Sequence, residues 1–133
     1  MSIYIPCGSD AGDCSSVNVF LGNGDGTFQH SHRQATNGNG GAMTEADFDR
    51  DGDMDLATVS GHPWFPSING KVTVLLNAGD GTFGSETTVH PTFGVGSNPV
   101  DILRTRQNND SKPDLVVANA DSDKVSVLVN TTQ

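Results

Sequence analysis

The 133-residue chain carries seven Lys and Arg against sixteen Asp and Glu, a formal charge of −9 that argues against a nucleic-acid partner. Fourteen of the acids are Asp and sixteen residues are Gly, which places the acid in turns rather than on helices. Apolar runs reach only four residues, as at 115–118, leaving no stretch for a membrane-spanning helix or a signal-peptide core and predicting no membrane insertion.

In chain order, residues 2–5 read as a short strand, followed by a Gly/Ser/Asp-rich loop holding Cys7 and Cys14. A disulfide closing that loop is sterically feasible and would argue for an oxidising compartment, while two free thiols fit the loop equally well. The segment Val17-Asn-Val-Phe-Leu-Gly-Asn-Gly-Asp-Gly-Thr-Phe28 then supplies a strand and a turn, and it recurs 55 residues later as Val72-Thr-Val-Leu-Leu-Asn-Ala-Gly-Asp-Gly-Thr-Phe83. A third copy starts as Val125-Ser-Val-Leu-Val-Asn130. The Gly-Asp-Gly-Thr segments carry residues tolerant of positive φ and predict hairpins, and each following Phe is expected in a core between sheets.

A second block, Met54-Asp-Leu-Ala-Thr-Val59, matches Pro113-Asp-Leu-Val-Val-Ala118. Together the blocks predict a unit of four strands, whole in the middle copy at 42–46, 56–59, 72–76 and 86–89. The first copy lacks its opening strand. The last, with strands near 100–103, 115–118 and 125–129, lacks its closing one. The chain thus divides into an incomplete unit at 1–38, a complete one at 39–92 and an incomplete one at 93–133. No segment has a sustained helical period with caps.

The densest chemistry is Asp47-Phe-Asp-Arg-Asp-Gly-Asp-Met-Asp55, with five Asp at alternate positions. Carboxylates this close repel one another unless a cation joins them. Hard oxygens at positions one, three and five, and a Gly at six for the sharp turn, suit Ca2+. The predicted ligands are Asp47, Asp49, Asp51, the Asp53 carbonyl and Asp55. An EF-hand would need Glu at position twelve, where this chain has Thr58, and then a helix; here a strand follows. The corresponding stretch Arg106-Gln-Asn-Asn-Asp-Ser-Lys-Pro-Asp114 keeps Asn108, Asp110 and Asp114 but has Arg106 at position one, so it is expected to bind a metal weakly or not at all.

The combination of Asp-x-Asp-x-Asp-Gly-x-x-Asp, a strand, a Val-x-Val-Leu-Leu-Asn strand and Gly-Asp-Gly-Thr-Phe resembles the FG-GAP, or VCBS-type, repeat. That resemblance implies an all-β fold of β-propeller blades, each of four antiparallel strands and about two and a half per chain, with calcium held in the Asp47–Asp55 loop. Propellers of this kind usually close with about seven blades, so the array would be a fragment of a larger propeller or be completed by self-association into a ring.

Function is then expected to be that of a calcium-stabilised, secreted or extracellular module recognising carbohydrate, in the manner of a lectin, or protein. Support comes from the insertion Gly61-His-Pro-Trp-Phe-Pro-Ser-Ile-Asn-Gly70, in which His62, Trp64 and Phe65 are the candidate ligand contacts; an exposed Trp ring stacks on an apolar sugar face. Filling of a gap between blades is an equal alternative for Trp64 and Phe65. A polysaccharide lyase or glycoside hydrolase could draw on His62, His90 and Arg104, but no nucleophile motif is present and His30-Ser-His32 offers two ligands without a third. A structural, self-assembling scaffold is the remaining alternative. Only 34% of residues are hydrophobic, so a cation, a partner or stacking must supplement the core.

Overall fold

The computed structural model describes residues 2–4, 16–29, 32–35, 40–61, 69–84 and 91–132. These form three antiparallel sheets and no helix. The first contains β1 (Ser2–Tyr4), β2 (Ser16–Phe20) and β3 (His32–Ala35). The second contains β4 (Gly40–Ala46), β5 (Asp55–Ser60), β6 (Asn69–Leu75) and β7 (Thr92–Ser97). The third contains β8 (Pro99–Thr105), β9 (Asp114–Asn119) and β10 (Lys124–Leu128). Within each sheet the strands lie side by side in chain order, as up-and-down meanders. A four-stranded sheet between two three-stranded ones is the architecture of a propeller-like array of blades, complete in the middle and partial at both ends.

The fourth strand of the middle sheet is displaced from its predicted place. Residues 86–89 lie outside the described residues; the strand paired with β6 is Thr92–Ser97, which carries the sheet past residue 92, where the sequence reading ended the unit. Pairing of Val72 with Phe93, with a bulge between Asn69 and Lys71, holds this Gly-containing segment against β6.

Alternation along the strands builds two cores. Val17 and Val19 of the first sheet meet Leu56, Leu75 and Phe83 of the second, with Leu21 and Met43 at the margin. On the opposite face of the second sheet, Ala57, Val59, Val72 and Val74 meet Ile102, Leu115 and Val117 of the third. Each sheet therefore offers one face to the sheet before it and the other to the sheet after it. Strands of the middle sheet that lie between two others are the most covered, with all six residues of β5 buried, whereas β10 at the end of the array is largely exposed.

Both predicted hairpins form with one geometry. The Asp25 Oδ1 accepts from Thr27 N at 2.9 Å and Thr27 Oγ1 at 2.6 Å, and Asp80 Oδ1 does the same for Thr82. The Phe side chains diverge, however: Phe83 is 2% exposed and Phe28 53%, which corrects the expectation that both are core. Phe83 reaches between its own sheet and the first sheet, whereas Phe28 leads the array and has no earlier described sheet to pack upon. Gly81 marks the same contact, since a Cβ there would lie 2.5 Å from Leu21 Cδ2.

Candidate metal centre

Between the end of β4 and the start of β5, residues 47–54 fold into a coil of turns closed by side-chain carboxylates. Asp49 Oδ1 accepts from Asp51 N at 3.2 Å, Asp51 Oδ1 from Asp53 N at 2.8 Å and Asp47 Oδ2 from Gly52 N at 3.1 Å. Two residues take positive φ, Arg50 at 69° and Gly52 at 99°, and so give the loop its tight curvature.

Asp55 anchors the coil. Fully buried, it accepts from Phe48 N through Oδ2 and from Asn77 N through Oδ1, both at 2.8 Å. One carboxylate thus ties the loop to the end of β6. Burial pushes its carboxyl above the usual range, opposed by the Asn77 and Phe48 amides, while Asp49 and Asp51 push it further up.

Carboxylate oxygens of Asp47, Asp49 and Asp55 all lie within 4.8 Å of one another. Asp47 Oδ2 is engaged by Gly52 N, but Asp47 Oδ1 is buried with no hydrogen-bond partner. A buried carboxylate oxygen without a donor is costly, and a hard divalent cation, which takes six to eight oxygens, is the chemistry that satisfies it. The donor set therefore fits Ca2+. Asp51 and Asp53 stand outside this cluster of three; the Asp53 carboxylate faces the second hairpin, where a Cβ on Gly79 would meet Oδ2 at 2.9 Å.

The 106–114 loop repeats the backbone with different chemistry. Asn109 and Ser111 adopt φ of 61° and 66°, in the places of Arg50 and Gly52. Asp114, also fully buried, accepts from Gln107 N at 2.6 Å and Asn130 N at 2.9 Å, as Asp55 does from Phe48 and Asn77. Those two amides hold the Asp114 carboxyl below the usual range against the effect of burial, with the Asn108 amide and the Lys112 charge assisting. Asp110 receives Asn108 Nδ2 at 2.9 Å and has Lys112 Nζ 3.9 Å away. Lys112 Nζ also donates to the Thr132 carbonyl. Counting side chains, the first loop bears five Asp and Arg50, or −4, and the second bears Asp110, Asp114, Arg106 and Lys112, or zero. Amide and ammonium groups do in the second loop what the carboxylates of the first leave undone.

The sequence reading missed the two asparagines that end the Val-x-Val strands. Asn77 Nδ2 donates to Met54 O at 3.1 Å, and Asn130 Nδ2 reaches Phe48 O at 2.8 Å, joining the third sheet to the loop of the second. Their recurrence at matching positions was the available signal. His62, Trp64, Phe65, His30, His90, Cys7 and Cys14 lie outside the described residues. The loop, by contrast, is described throughout.

A family model for the FG-GAP-like repeat matches residues 7–58, a span that includes β2 to β4 and the acidic loop. No curated protein and no solved structure matches the chain.

Proposed function

With residues 7–58 an FG-GAP-like repeat within a propeller-like stack of sheets, we propose that the chain is a calcium-stabilised extracellular binding module. It recognises carbohydrate ahead of protein, and its end sheets are covered by further copies of the chain. The observation that carries the calcium assignment is the buried, unpartnered Asp47 Oδ1 inside a group of three carboxylates. Asp47, Asp49 and Asp55 would hold the ion, with Asp51 and the Asp53 carbonyl completing the shell.

The ion would supply charge neutralisation, and these residues do the rest. Asp55 fixes the junction of β4, β5 and β6 through its two amide contacts. The turn-forming carboxylates hold the curvature of the loop through their contacts with the amides of Asp51, Gly52 and Asp53. At a dissociation constant of about 10⁻⁴ to 10⁻³ M, in the range of extracellular modules, millimolar calcium stabilises the fold by about 0.4 to 1.4 kcal/mol.

Calorimetric titration of the chelator-stripped chain tests the metal assignment, with one ion per chain expected at this loop. Two sites of equal affinity, or a thermal melt that calcium leaves unmoved, would refute it. Recognition is tested separately on a glycan array, with capture of carbohydrate expected and Trp64→Ala deciding whether Trp64 contributes to it; an array with no glycan captured would refute the reading.

A further inference from the structure

Between the 47–55 loop and the 106–114 loop lies a cleft of about 780 Å³ lined by Arg50, Arg104 and Arg106. The chain has only seven Lys and Arg against sixteen acids, so three cations on one cleft is a concentration of scarce positive charge. They come from separate places: Arg50 from the first loop, Arg104 from β8 and Arg106 from the head of the second loop. All three are exposed, and none of their side chains makes an ion pair or hydrogen bond with a described residue.

That last point is informative because Asp47 and Asp51 line the same cleft. Three arginines and two aspartates share the space, yet the arginines are left with their donors open. Guanidinium groups present planar forks that match the paired oxygens of a carboxylate or a sulfate, and several forks around one cleft select a ligand bearing such a group. The hydroxyl of Ser111, which also lines the cleft, suits a hydroxyl of a sugar ring. The volume falls within the range of small-ligand sites.

We infer that this cleft binds an acidic glycan, gripping a carboxylate or sulfate-ester group through Arg104 and Arg106, with Arg50 closing the third side. The inference rests on the carbohydrate reading proposed above and adds to it the charge of the sugar and the place where it sits. Arg50 is held at a φ of 69°, which fixes where its side chain leaves the loop.

The test is calorimetry on the full chain in calcium-containing buffer, using a uronic-acid oligosaccharide, its methyl ester, and a sulfated neutral oligosaccharide. Binding of the uronate or of the sulfated sugar, with the methyl ester at least tenfold weaker than the uronate, is the expected result, and the tighter of the two acids identifies the anion. Arg104→Gln and Arg106→Gln should each weaken that binding tenfold or more without moving the melting temperature, since both side chains are exposed. Arg104→Lys, which keeps the charge but loses the fork, should fall between. Equal binding of ester and acid, affinity unchanged in both Gln variants, or no binding of either acidic sugar would overturn the cleft assignment. In each of those cases a neutral glycan still captured on the array would leave the carbohydrate reading standing, and an array with no glycan captured would remove both.

Discussion

Replacing Val127 by Lys should disperse any association of the chain with itself while leaving its fold intact. The repeat supplies the magnitude. Val72 and Val74 on β6 are 0% and 8% exposed beneath the third sheet, whereas their equivalents on β10, Val125 and Val127, are 64% and 53% exposed. Val100, Leu103 and Val129 are exposed beside them. Fully burying one such side chain is worth about 1.5–3 kcal/mol, so covering five that are already half-covered gains on the order of 5 kcal/mol. Association itself costs about 4–15 kcal/mol, so the apolar face alone roughly breaks even. The first sheet of another copy, with Phe28 uncovered, is the matching surface, because it would stand to the third sheet as the second sheet, with Phe83, stands to the first. Weak, concentration-dependent association is therefore expected, read by light scattering across a wide concentration series. An ammonium placed in the middle of the buried face costs more than the face gains, so Val127→Lys should be a monomer throughout. A wild-type chain that stays monomeric at every concentration, or a Val127→Lys chain that associates as well as wild type, would refute the reasoning.

Asp47→Asn should abolish the calcium-dependent rise in melting temperature yet raise stability in chelator, because it removes one of several crowded like charges; calorimetric melts with and without calcium check both signs. Asp114→Asn leaves one of the two amides of Gln107 and Asn130 facing an NH2 group, and urea unfolding should show a loss of about 1–3 kcal/mol. The carboxyl of Asp114 lies below its ordinary value when folded, so its contribution is fully present above the unfolded pKa of about 3.9 and is lost as pH falls through the lower folded value; the acid limb of stability should be shallower in Asp114→Asn than in wild type. Gly81→Ala should destabilise by more than Gly26→Ala. Both have positive φ, at 82° and 92°, but only the former places a Cβ against Leu21, and the difference between their urea midpoints measures that inter-sheet contact.

Local chemistry carried much of this structure in the sequence, and the failures have physical causes. Hairpin turns were readable because a Gly-Asp-Gly-Thr segment closes on itself through contacts two residues apart. The strand Thr92–Ser97 was not, because its two glycines lower its intrinsic preference and pairing with β6 decides its conformation. Phe28 and Phe83 end identical pentapeptides, so no local rule could separate them; their place in the array does. Asn77 acts on a carboxylate 22 residues away, a distance at which a single sequence shows recurrence but not contact.

Comparison of the two acidic loops separates what the turn needs from what it carries. The second loop reaches the same positive-φ positions and the same doubly bonded buried Asp with a net side-chain charge of zero. Five carboxylates are therefore not required to make this turn. In the first loop they stand at −4, with one buried oxygen unpartnered and the closing Asp pushed towards its neutral form. Such crowding opposes folding unless something bound offsets it, since each close pair of like charges adds repulsion that the turn's own amides do not cancel. The proposed cation accounts for this surplus. It would also account for the differing charge of two loops that share a backbone: the first would be built around the proposed ion, and in the second Asn108 and Lys112 meet the Asp110 carboxylate instead.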